Sequence, residues 1–490
     1  MFCQYLNPKP ISISLSPNTE KDDILLAFKL LWKPWRWKFS VNQRNNQRQS
    51  ASTILEEEFK KYLGVKYAIS FNSGRSALMA ILAALFGEQA SSEALAKEDE
   101  EVLLQAFTCN AVPNPVIWSR LREAEARYGE AKARLREAEA RYGEAKARLR
   151  DDASARQAGL KPIYVDCNEN TFNIDPEDLR RKITSNSRAV IVQHTFGLPA
   201  EMDEIIKICQ AHNLILIEDC AHSLGATYKG KKIGTFGRVS FFSFSRDKVI
   251  SSVYGGMVVT SDDELAKKIK EYQERIGYPS YFWILQQLLH PVLMNWLILP
   301  TYKYFGKYLL ILFQWLHIFS KAVHWKEKRG QKPCYFPKRL PDALAILAQN
   351  QFRKLEKFNR HRREIAEFYN RELADTSYQL PVTSDGDIFL RYAIKHPNAH
   401  QIIQKAWSHN LLVGDWYTTP IAPHDTKLEK MQYTLGSCPN AEKLAKITLN
   451  LPTHINISVK DAQKIVDFLK KISKNNKDHN TISTAVEKVL

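Results

Sequence analysis

One lysine lies among small hydroxyl residues, aromatic residues and a glycine pair, surroundings that a solvent-exposed lysine does not require. Lys248 lies in FSFSRDKVISSVYGGM, between two apparent strands and five residues after Ser243. A lysine that attacks a carbonyl must lose its proton, and burial or a cationic neighbour lowers its pKa. Arg246 is a candidate neighbour, and Ser243 and Ser245 share one face of a strand. The stretch therefore suggests an imine-forming lysine.

Two further motifs carry groups that complement such a lysine. Asp219 ends the apolar run LILIED, where a strand-end carboxylate can pair with a protonated heterocyclic nitrogen. The stretch SFNSGRSALMAIL reads as strand, turn and helix, and a helix start suits a phosphate. The candidate phosphate ligands are Ser73, Gly74, Arg75 and Ser76. Taken alone, Asp219 could simply be a polar residue at the end of a strand, and the Asn-Ser-Gly turn could simply cap a helix. Together with the lysine they describe a pyridoxal phosphate pocket.

The surrounding pattern predicts an α/β fold. Between residues 67 and 260, short apolar runs alternate with helical patterns such as SALMAILAAL. The runs are YAISF, VLLQA, PIYVD, AVIVQH, LILIED, VSFFSF and MVVT. This alternation is typical of a three-layer α/β/α structure with a mainly parallel sheet. In such sheets ligands bind at the carboxyl ends of the strands.

The order of these motifs resembles the DegT/DnrJ/EryC1/StrS family of sugar aminotransferases. The stretches that carry the resemblance include NSGRSAL, AFTCNAVPNPVIW, TFNIDPEDL, VQHTFGLPAEMDEI, IEDCAHSLGA, GTFGRVSFFSFSRDK and CPNAEKLAKITLNLPTH. The resemblance implies fold type I of the pyridoxal phosphate transferases, with a smaller C-terminal α/β domain. It also implies a homodimer that moves an amino group, usually from glutamate, to a keto-sugar that is nucleotide-linked, with a lipid-linked sugar as the alternative.

Carried over residue by residue, the resemblance assigns the site. Lys248 would be the catalytic residue and would hold pyridoxal 5′-phosphate, and Asp219 would face its ring nitrogen. His222 would lie against the ring, and Ser243 with the start of the first helix would hold the phosphate. The other cofactor-binding residues would be Gly74, Arg75, Ser76, Phe107 and Cys109, and Trp416 and Tyr417 would face the substrate.

Several positions depart from the family pattern. Arg75 stands where threonine is usual, Ser245 where histidine is frequent, and Cys109 where an aromatic ring often stacks on the cofactor. Phe107 is the expected substitute for that ring. The stretch GDWYTTPI replaces the usual His-Tyr-Pro near the substrate. These changes preserve the pyridoxal chemistry and predict an altered sugar pocket.

Two segments interrupt the α/β pattern. In the first, a 14-residue unit at Arg122–Leu135 recurs identically at Arg136–Leu149, which predicts an inserted helical repeat over 120–157. This repeat would be either a solvent-exposed protrusion or a coiled coil that binds a partner.

The second, Tyr281–Trp325, has no Asp or Glu and holds four of the ten tryptophans. Trp and Tyr with Lys and Arg are typical of a membrane interface. The alternatives are a buried helical subdomain and a dimer interface.

These features divide the 490 residues into five predicted parts. They are an N-terminal arm with a Trp-rich basic stretch (1–50), a large cofactor-binding domain (51–272), an apolar insert (273–336), a small C-terminal domain (337–473) and a polar tail (474–490).

Composition narrows the setting of the protein. The seven scattered cysteines form no CxxC pair, which favours a reducing compartment over disulfides or a zinc site. The net charge of +17 indicates an acidic partner. No basic helix or stacking module supports nucleic acid. We therefore expect a cytoplasmic protein, peripheral on the inner face of an anionic membrane.

Two other functions fit parts of the pattern. A pyridoxal-dependent sugar dehydratase of the same family would share the pocket, but such enzymes tend to carry histidine in place of Lys248. A non-catalytic, membrane-associated protein could keep the fold, but it would not need an imine-forming lysine. The sequence favours the aminotransferase.

Overall fold

The computed structural model describes residues 9–39, 42–44, 47–87, 100–119 and 160–487, without the side chains of 42–44, 47, 48 and 474–487. The predicted helical repeat at 120–157 lies outside the described residues.

A seven-stranded sheet forms the centre of the protein, and the seven apolar runs all become its strands. The strands are β4 (Tyr67–Phe71), β5 (Glu101–Gln105), β7 (Lys161–Val165), β8 (Ser187–Gln193), β9 (Ile215–Asp219), β12 (Val239–Ser243) and β13 (Gly256–Thr260). Their order in the sheet is β4-β13-β12-β9-β8-β5-β7. Only β13 runs against its neighbours, and every other adjacent pair is parallel.

Helices cover both faces of this sheet because its strands are apolar on both sides. Leu103 and Phe242 face one buried cluster, whereas Leu104 and Phe241 face the other. The first cluster includes residues of α2 (Ala51–Leu63), α6 (Met202–Ala211) and α11 (Asp342–Phe352). The second includes residues of α3 (Gly74–Phe86), α4 (Pro113–Trp118) and α7 (Asp263–Arg275). The result is the predicted α/β/α sandwich, with α5 (Pro176–Lys182) at its side.

The C-terminal region adds a smaller α/β unit. Its central ladder pairs β14 (Tyr392–Lys395) with β17 (Thr448–Leu451) in antiparallel register. Its helices are α12 (Leu355–Leu373), α13 (Ala399–Ser408), α14 (Pro439–Ile447) and α15 (Val459–Glu487).

Short ladders tie the remaining segments together. The N-terminal β1 (Ile11–Ser12) pairs with β15 (Leu411–Leu412), and β6 (Thr108–Cys109) pairs with β16 (Ile421–Ala422). The other two are hairpins, of β2 (Asn42–Arg44) with β3 (Gln47–Gln49) and of β10 (Thr227–Tyr228) with β11 (Lys231–Lys232).

The apolar insert is a bent helical arm beside α1 (Lys21–Leu31). It runs through α8 (Tyr281–Leu293), α9 (Leu299–Thr301) and α10 (Lys307–Trp315), joined by π-helical turns at Met294–Ile298 and Tyr302–Gly306. The helical path breaks at Thr301 (φ −106°, ψ 6°). Gly306 then packs so close to the carbonyl oxygen of Ile298 that a Cβ there would clash with it.

His454 fastens the N-terminal strand to the small domain. Its buried ring donates from Nε2 to the Ser12 carbonyl oxygen at 2.8 Å, while Nδ1 accepts from the Asn456 N–H at 3.3 Å. Burial, with help from the cationic Arg362, lowers the pKa of His454 to about 3. The ring is therefore neutral in the folded protein at neutral pH.

We expect this histidine to make the fold acid-sensitive. A His whose pKa falls on folding stabilises the fold fully above its unfolded pKa of about 6.5, and this stability is lost as the pH falls toward about 3. At pH 5 the loss is about 2 kcal/mol relative to pH 8. Thermal unfolding should show that His454→Gln flattens this dependence, whereas His409→Gln at an exposed site does not. Equal slopes in both variants would contradict the assignment.

Candidate active site

A cavity of about 180 Å³ opens where β9 and β12 end. Nine of the twelve predicted site residues line it: Gly74, Arg75, Cys109, Asp219, His222, Ser243, Lys248, Trp416 and Tyr417. Ser73, Ser76 and Phe107 do not. The position follows from topology, because the carboxyl ends of parallel strands meet at one edge of the sheet.

Lys248 extends into this cavity from the loop between β12 and β13. Its Nζ lies 4.7 Å from the centre of the Trp416 ring. The surrounding protein lowers the pKa of the Lys248 amine by desolvation, and Arg391 lowers it further against the opposing charges of Asp247 and Asp219. Arg246, the cation expected from the sequence, instead donates to Ser320 and lies over Tyr254. Burial, one of the two causes expected from the sequence, therefore lowers the pKa of Lys248, and the cationic neighbour is Arg391 in place of Arg246.

Asp219 supplies the anion. It is buried at the end of β9, and its Oδ1 accepts the Ala221 N–H at 3.0 Å. Burial raises the pKa of the carboxyl, opposed by that hydrogen bond and by the charge of Lys248. A buried carboxylate of this kind gains most from a cationic partner.

The start of α3 and the end of β12 form the end of the cavity that suits a phosphate. Ser73 caps α3 by accepting the Ser76 N–H at 3.0 Å, and the Ser243 and Ser245 hydroxyls lie 3.1 Å apart. A Cβ on Gly74 would stand 3.0 Å from the Ser243 Cβ, so glycine keeps this corner open.

Ser76 plays a different part from the one predicted. Its hydroxyl donates to the Asn72 Oδ1 at 2.6 Å, and the side chain is fully buried inside the turn. Its hydroxyl and N–H are thus engaged within the cap, so Ser76 shapes the helix start and is not a wall of the cavity.

Stacked rings form another wall. The His222 ring lies between Trp416, at 5.3 Å, and Phe196, at 6.4 Å. Its Nδ1 accepts the Phe196 N–H, which leaves the proton of the neutral ring on Nε2, 3.4 Å from the Tyr417 hydroxyl. Burial, and then Lys248 and Arg391, lower the pKa of His222 well below its usual range. This stack presents a flat, uncharged surface.

Phe107 does not replace the stacking ring, contrary to the sequence prediction. It is completely buried, 5.9 Å from Phe172 and 5.4 Å from Tyr417, behind the cavity wall. Cys109 lines the cavity itself. Phe107 therefore supports Tyr417 from behind.

Arg75 forms an ion pair with a residue that the sequence analysis did not identify. Its Nε lies 2.5 Å from an Oε2 of Glu327, and both side chains are buried. Although desolvation lowers the pKa of Arg75, Glu327 raises it overall, so the guanidinium keeps its charge. The pair fastens the C-terminal end of the apolar insert to the helix start of the cofactor site.

Breaking this pair should destabilise the protein. Glu327→Gln leaves a buried guanidinium without its anion, which typically costs about 3–5 kcal/mol. Thermal unfolding should show a clear loss for Glu327→Gln and a smaller one for the double variant Arg75→Met, Glu327→Met, which removes both charges. A Glu327→Gln variant as stable as the parent would contradict the role of the pair.

Three contributions to the site come from residues far apart in the chain. Arg391 lies 3.3 Å above the Trp416 ring and 3.1 Å from the Asp247 carboxylate. Ala322 and Val323, from the end of the apolar insert, line the cavity opposite the sheet. No local motif in the sequence marks them.

The residues present fit pyridoxal 5′-phosphate. One cavity holds an amine of lowered pKa, a buried carboxylate and two neighbouring hydroxyls beside an open glycine corner. A flat wall of rings completes it. These are an imine-forming group, a partner for a ring nitrogen, donors for a phosphate and a surface for an aromatic ring.

Comparisons with known proteins agree with this reading. The profile of the DegT/DnrJ/EryC1/StrS aminotransferase family matches residues 42–124, 152–282 and 312–470. An uncharacterised protein of Methanocaldococcus jannaschii is 27% identical over 86% of this chain and 90% of its own length. GDP-perosamine synthase of Caulobacter vibrioides is 32% identical over 44% of this chain and 45% of its own.

The fold is also that of solved structures. Helicobacter pylori PseC, an aminotransferase involved in the biosynthesis of pseudoaminic acid, superposes with a TM-score of 0.64 at 20% identity, over 95% of this chain and all of its own. The predicted fold class is thereby confirmed. The family profile does not cover residues 283–311 of the insert.

Proposed function

Because the chain belongs to the DegT/DnrJ/EryC1/StrS aminotransferase family, we propose that it transfers an amino group from glutamate to the keto carbon of a nucleotide-linked sugar, with pyridoxal 5′-phosphate as cofactor. One observation carries the proposal: the Lys248 amine and the Asp219 carboxylate share a single cavity. The product would be an amino-sugar for cell-surface polysaccharide. Relatives named for GDP-perosamine and for spore coat polysaccharide support that setting.

Each residue then has a task. The bound cofactor supplies an electron sink that makes the α-proton of the amino donor acidic. Asp219 would keep the ring nitrogen protonated, because a buried carboxylate is stabilised by a cation beside it. Lys248, with a lowered pKa, can hold the cofactor and accept or return the proton at Nζ.

The other residues position the reacting groups. Ser243 and the N–H groups of Gly74 and Arg75 would hold the phosphate at the start of α3. Trp416 and Tyr417 reach the cavity from the small domain and would meet the sugar. Tyr417 is itself buried, and Ala322 and Val323 add an apolar part to the cavity lining.

A dehydratase of the same family remains the nearest alternative. It would use the same cavity but would not need a lysine as proton carrier, so Lys248 favours amino transfer. The two reactions differ by mass: amino transfer replaces a carbonyl oxygen by an amine, whereas dehydration removes a hydroxyl as water.

The proposal is tested with a panel of nucleotide-linked 4-keto-sugars and ¹⁵N-glutamate, read by mass spectrometry. We expect the label to enter one sugar nucleotide and 2-oxoglutarate to accumulate in equal amount. Loss of a hydroxyl without label would point to the dehydratase. A colourless protein that takes up no cofactor would contradict both enzymes and favour the non-catalytic alternative.

We also propose that the enzyme is a cytoplasmic homodimer. Fold type I enzymes of this family are homodimers, which supports the assembly, and the six cysteines in the described part of the chain are all free thiols, as a reducing compartment favours. Light scattering of the purified chain measures the assembly directly, and a monomer that transfers amino groups at full rate would contradict it.

A further inference from the structure

The exposed apolar side chains of this protein are concentrated in two segments. Of twenty large apolar residues exposed in the described part of the chain, four lie in 25–39 and eleven in 281–325. Trp315 is 74% exposed and Trp35 is 71% exposed. Scattered exposed apolar residues are ordinary, but a concentration of aromatic ones marks an interaction surface.

The two segments meet. Helix α1 packs along α8, and the Phe28 ring lies 5.2 Å from Trp296 of the insert and 6.3 Å from Trp32. Lys38 lies 4.2 Å over the Tyr281 ring. Residues separated by more than 200 positions in the chain therefore adjoin, and we call them together the aromatic surface (exposed residues of 25–39 and 281–316).

Helix α10 and the turn before it carry the most regular part of this surface. Tyr304, Tyr308, Ile311 and Trp315 are exposed at helical spacing, and Lys303 and Lys307 are exposed beside them. The opposite side of α10 packs against a small cluster at the bend of the arm: Leu309, Leu310 and Phe313 contact Met294, Ile298, Leu299 and Phe319. The exposed face is thus held in place by its own buried face.

The two stretches of chain that carry this surface have charge of one sign, although Leu25 and Trp296 also line a groove with Glu20, Asp22 and Asp461. Residues 24–55 hold six Lys and Arg, residues 276–326 hold four Lys, and neither stretch contains an Asp or Glu. Aromatic side chains flanked by cations suit an anionic lipid surface, where rings enter the headgroup region and lysines meet phosphate.

A second copy of the chain suits this surface less well. A two-fold interface places the surface against itself, so lysines such as Lys303 and Lys307 would face residues of the same surface, and the two stretches that carry it contain no Asp or Glu. A lipid surface supplies the missing negative charge.

The arm does not have the form of a spanning helix. Tyr281–Trp315 is long and apolar enough to cross a bilayer, but 61% of its most apolar window is buried inside the protein. Its α8 portion packs on α1 and α11, and crossing a membrane would remove those contacts. A surface-bound arrangement keeps them.

We infer that the aromatic surface docks this protein onto an anionic membrane, peripherally, at the inner face of the cytoplasmic membrane. Most of the insert's share of this surface lies at 283–311, outside the match to the family profile, or in α10 directly after it. The family match therefore does not rest on most of this surface, and the inference does not depend on the proposed reaction. It would bring the enzyme to the membrane without changing its cavity.

Vesicle sedimentation tests the apolar half of the inference. The full chain should sediment with vesicles of phosphatidylcholine and phosphatidylglycerol and remain soluble with phosphatidylcholine alone. Tyr308→Ser with Trp315→Ser should lower the partition coefficient by more than about tenfold. The control, Val382→Ser with Leu435→Ser, removes equally exposed apolar side chains elsewhere and should bind like the parent.

A matched pair of charge variants tests the other half. Lys303→Glu with Lys307→Glu should lower binding by more than about tenfold, because each Lys near an anionic surface contributes roughly a factor of five. Lys267→Glu with Lys405→Glu changes net charge equally at other exposed sites and should have a much smaller effect.

Specific results would overturn the inference. The first is that the parent chain does not bind anionic vesicles, and the second is that the surface variants bind them as tightly as the parent does. The third is that light scattering shows a dimeric parent and monomeric surface variants, which would make this face a subunit interface. Cofactor absorbance and amino transfer to a soluble substrate, unchanged in all variants, show that the variants fold. These readouts also separate failure of docking from failure of the proposed reaction.

Discussion

Replacement of Lys248 by alanine should abolish amino transfer, with a rate loss of at least about 10³-fold. The variant lacks both the amine that holds the cofactor and the group that moves the donor's proton. No other lysine lines the cavity in the described part of the chain. The phosphate end and Asp219 remain, so the variant should still bind the cofactor without a covalent bond.

Steady-state transfer of ¹⁵N measures this loss. Lys395→Ala is the matched control: Lys395 is another buried lysine whose pKa burial lowers, but it lies on β14 outside the cavity. Lys248→Arg keeps a positive charge and should be as inactive as alanine, because guanidinium stays protonated. Added methylamine should restore part of the rate in Lys248→Ala. Activity in Lys248→Ala near that of Lys395→Ala would refute the catalytic assignment.

Asp219→Asn should lower the rate by about 10²–10³-fold while leaving the fold intact. The amide fills the same space and can still accept the Ala221 N–H at the end of β9. It carries no charge, however, and so cannot hold the ring nitrogen protonated. The cofactor would then withdraw electrons poorly, and the donor's proton would leave slowly.

The rate of donor deuterium exchange isolates this step from sugar binding. Asp219→Glu keeps the charge and should retain more activity than Asp219→Asn, and Asp385→Asn, an exposed carboxylate, should behave like the parent. If the asparagine variant exchanged deuterium at the parent rate, Asp219 would not face the ring nitrogen.

The strands of the sheet could be predicted because each of them has a recognisable local sequence pattern. Runs such as AVIVQH and LILIED are short, apolar on both faces and bounded by polar turns, as buried parallel strands are. The reversed direction of β13 was not predicted, because direction depends on the length and path of the loop that carries Lys248. The short ladders, such as β6 with β16, also lacked a local signal.

The site was predictable where a motif sits at a strand end. Lys248, Asp219, Ser243 and Gly74 lie close together because topology brings those ends to one edge. Arg391, Glu327 and Ala322 were not predicted, since they reach the site from elements 70 or more residues away from Lys248 in the chain. Ser76 and Phe107 were wrongly assigned to the cavity wall, because residues that are neighbours in a motif can have side chains that point in different directions.

The structures of the two inserts could not be predicted from their composition either. The composition of Tyr281–Trp325 suggested membrane contact, a buried subdomain or a subunit interface, and composition alone could not separate these. The structure shows that one segment buries its α8 half and exposes the face of α10. The exact 14-residue repeat lies outside the described residues, and its role stays a prediction.

The most direct test of the central claim is to fix the cofactor in place and find which residue holds it. The purified protein, loaded with pyridoxal 5′-phosphate, is reduced with borohydride, digested and sequenced by mass spectrometry. We predict that the cofactor's mass is attached to Lys248 in the peptide that contains DKVISSVYGGM. Attachment to any other lysine, or to none, would contradict the account.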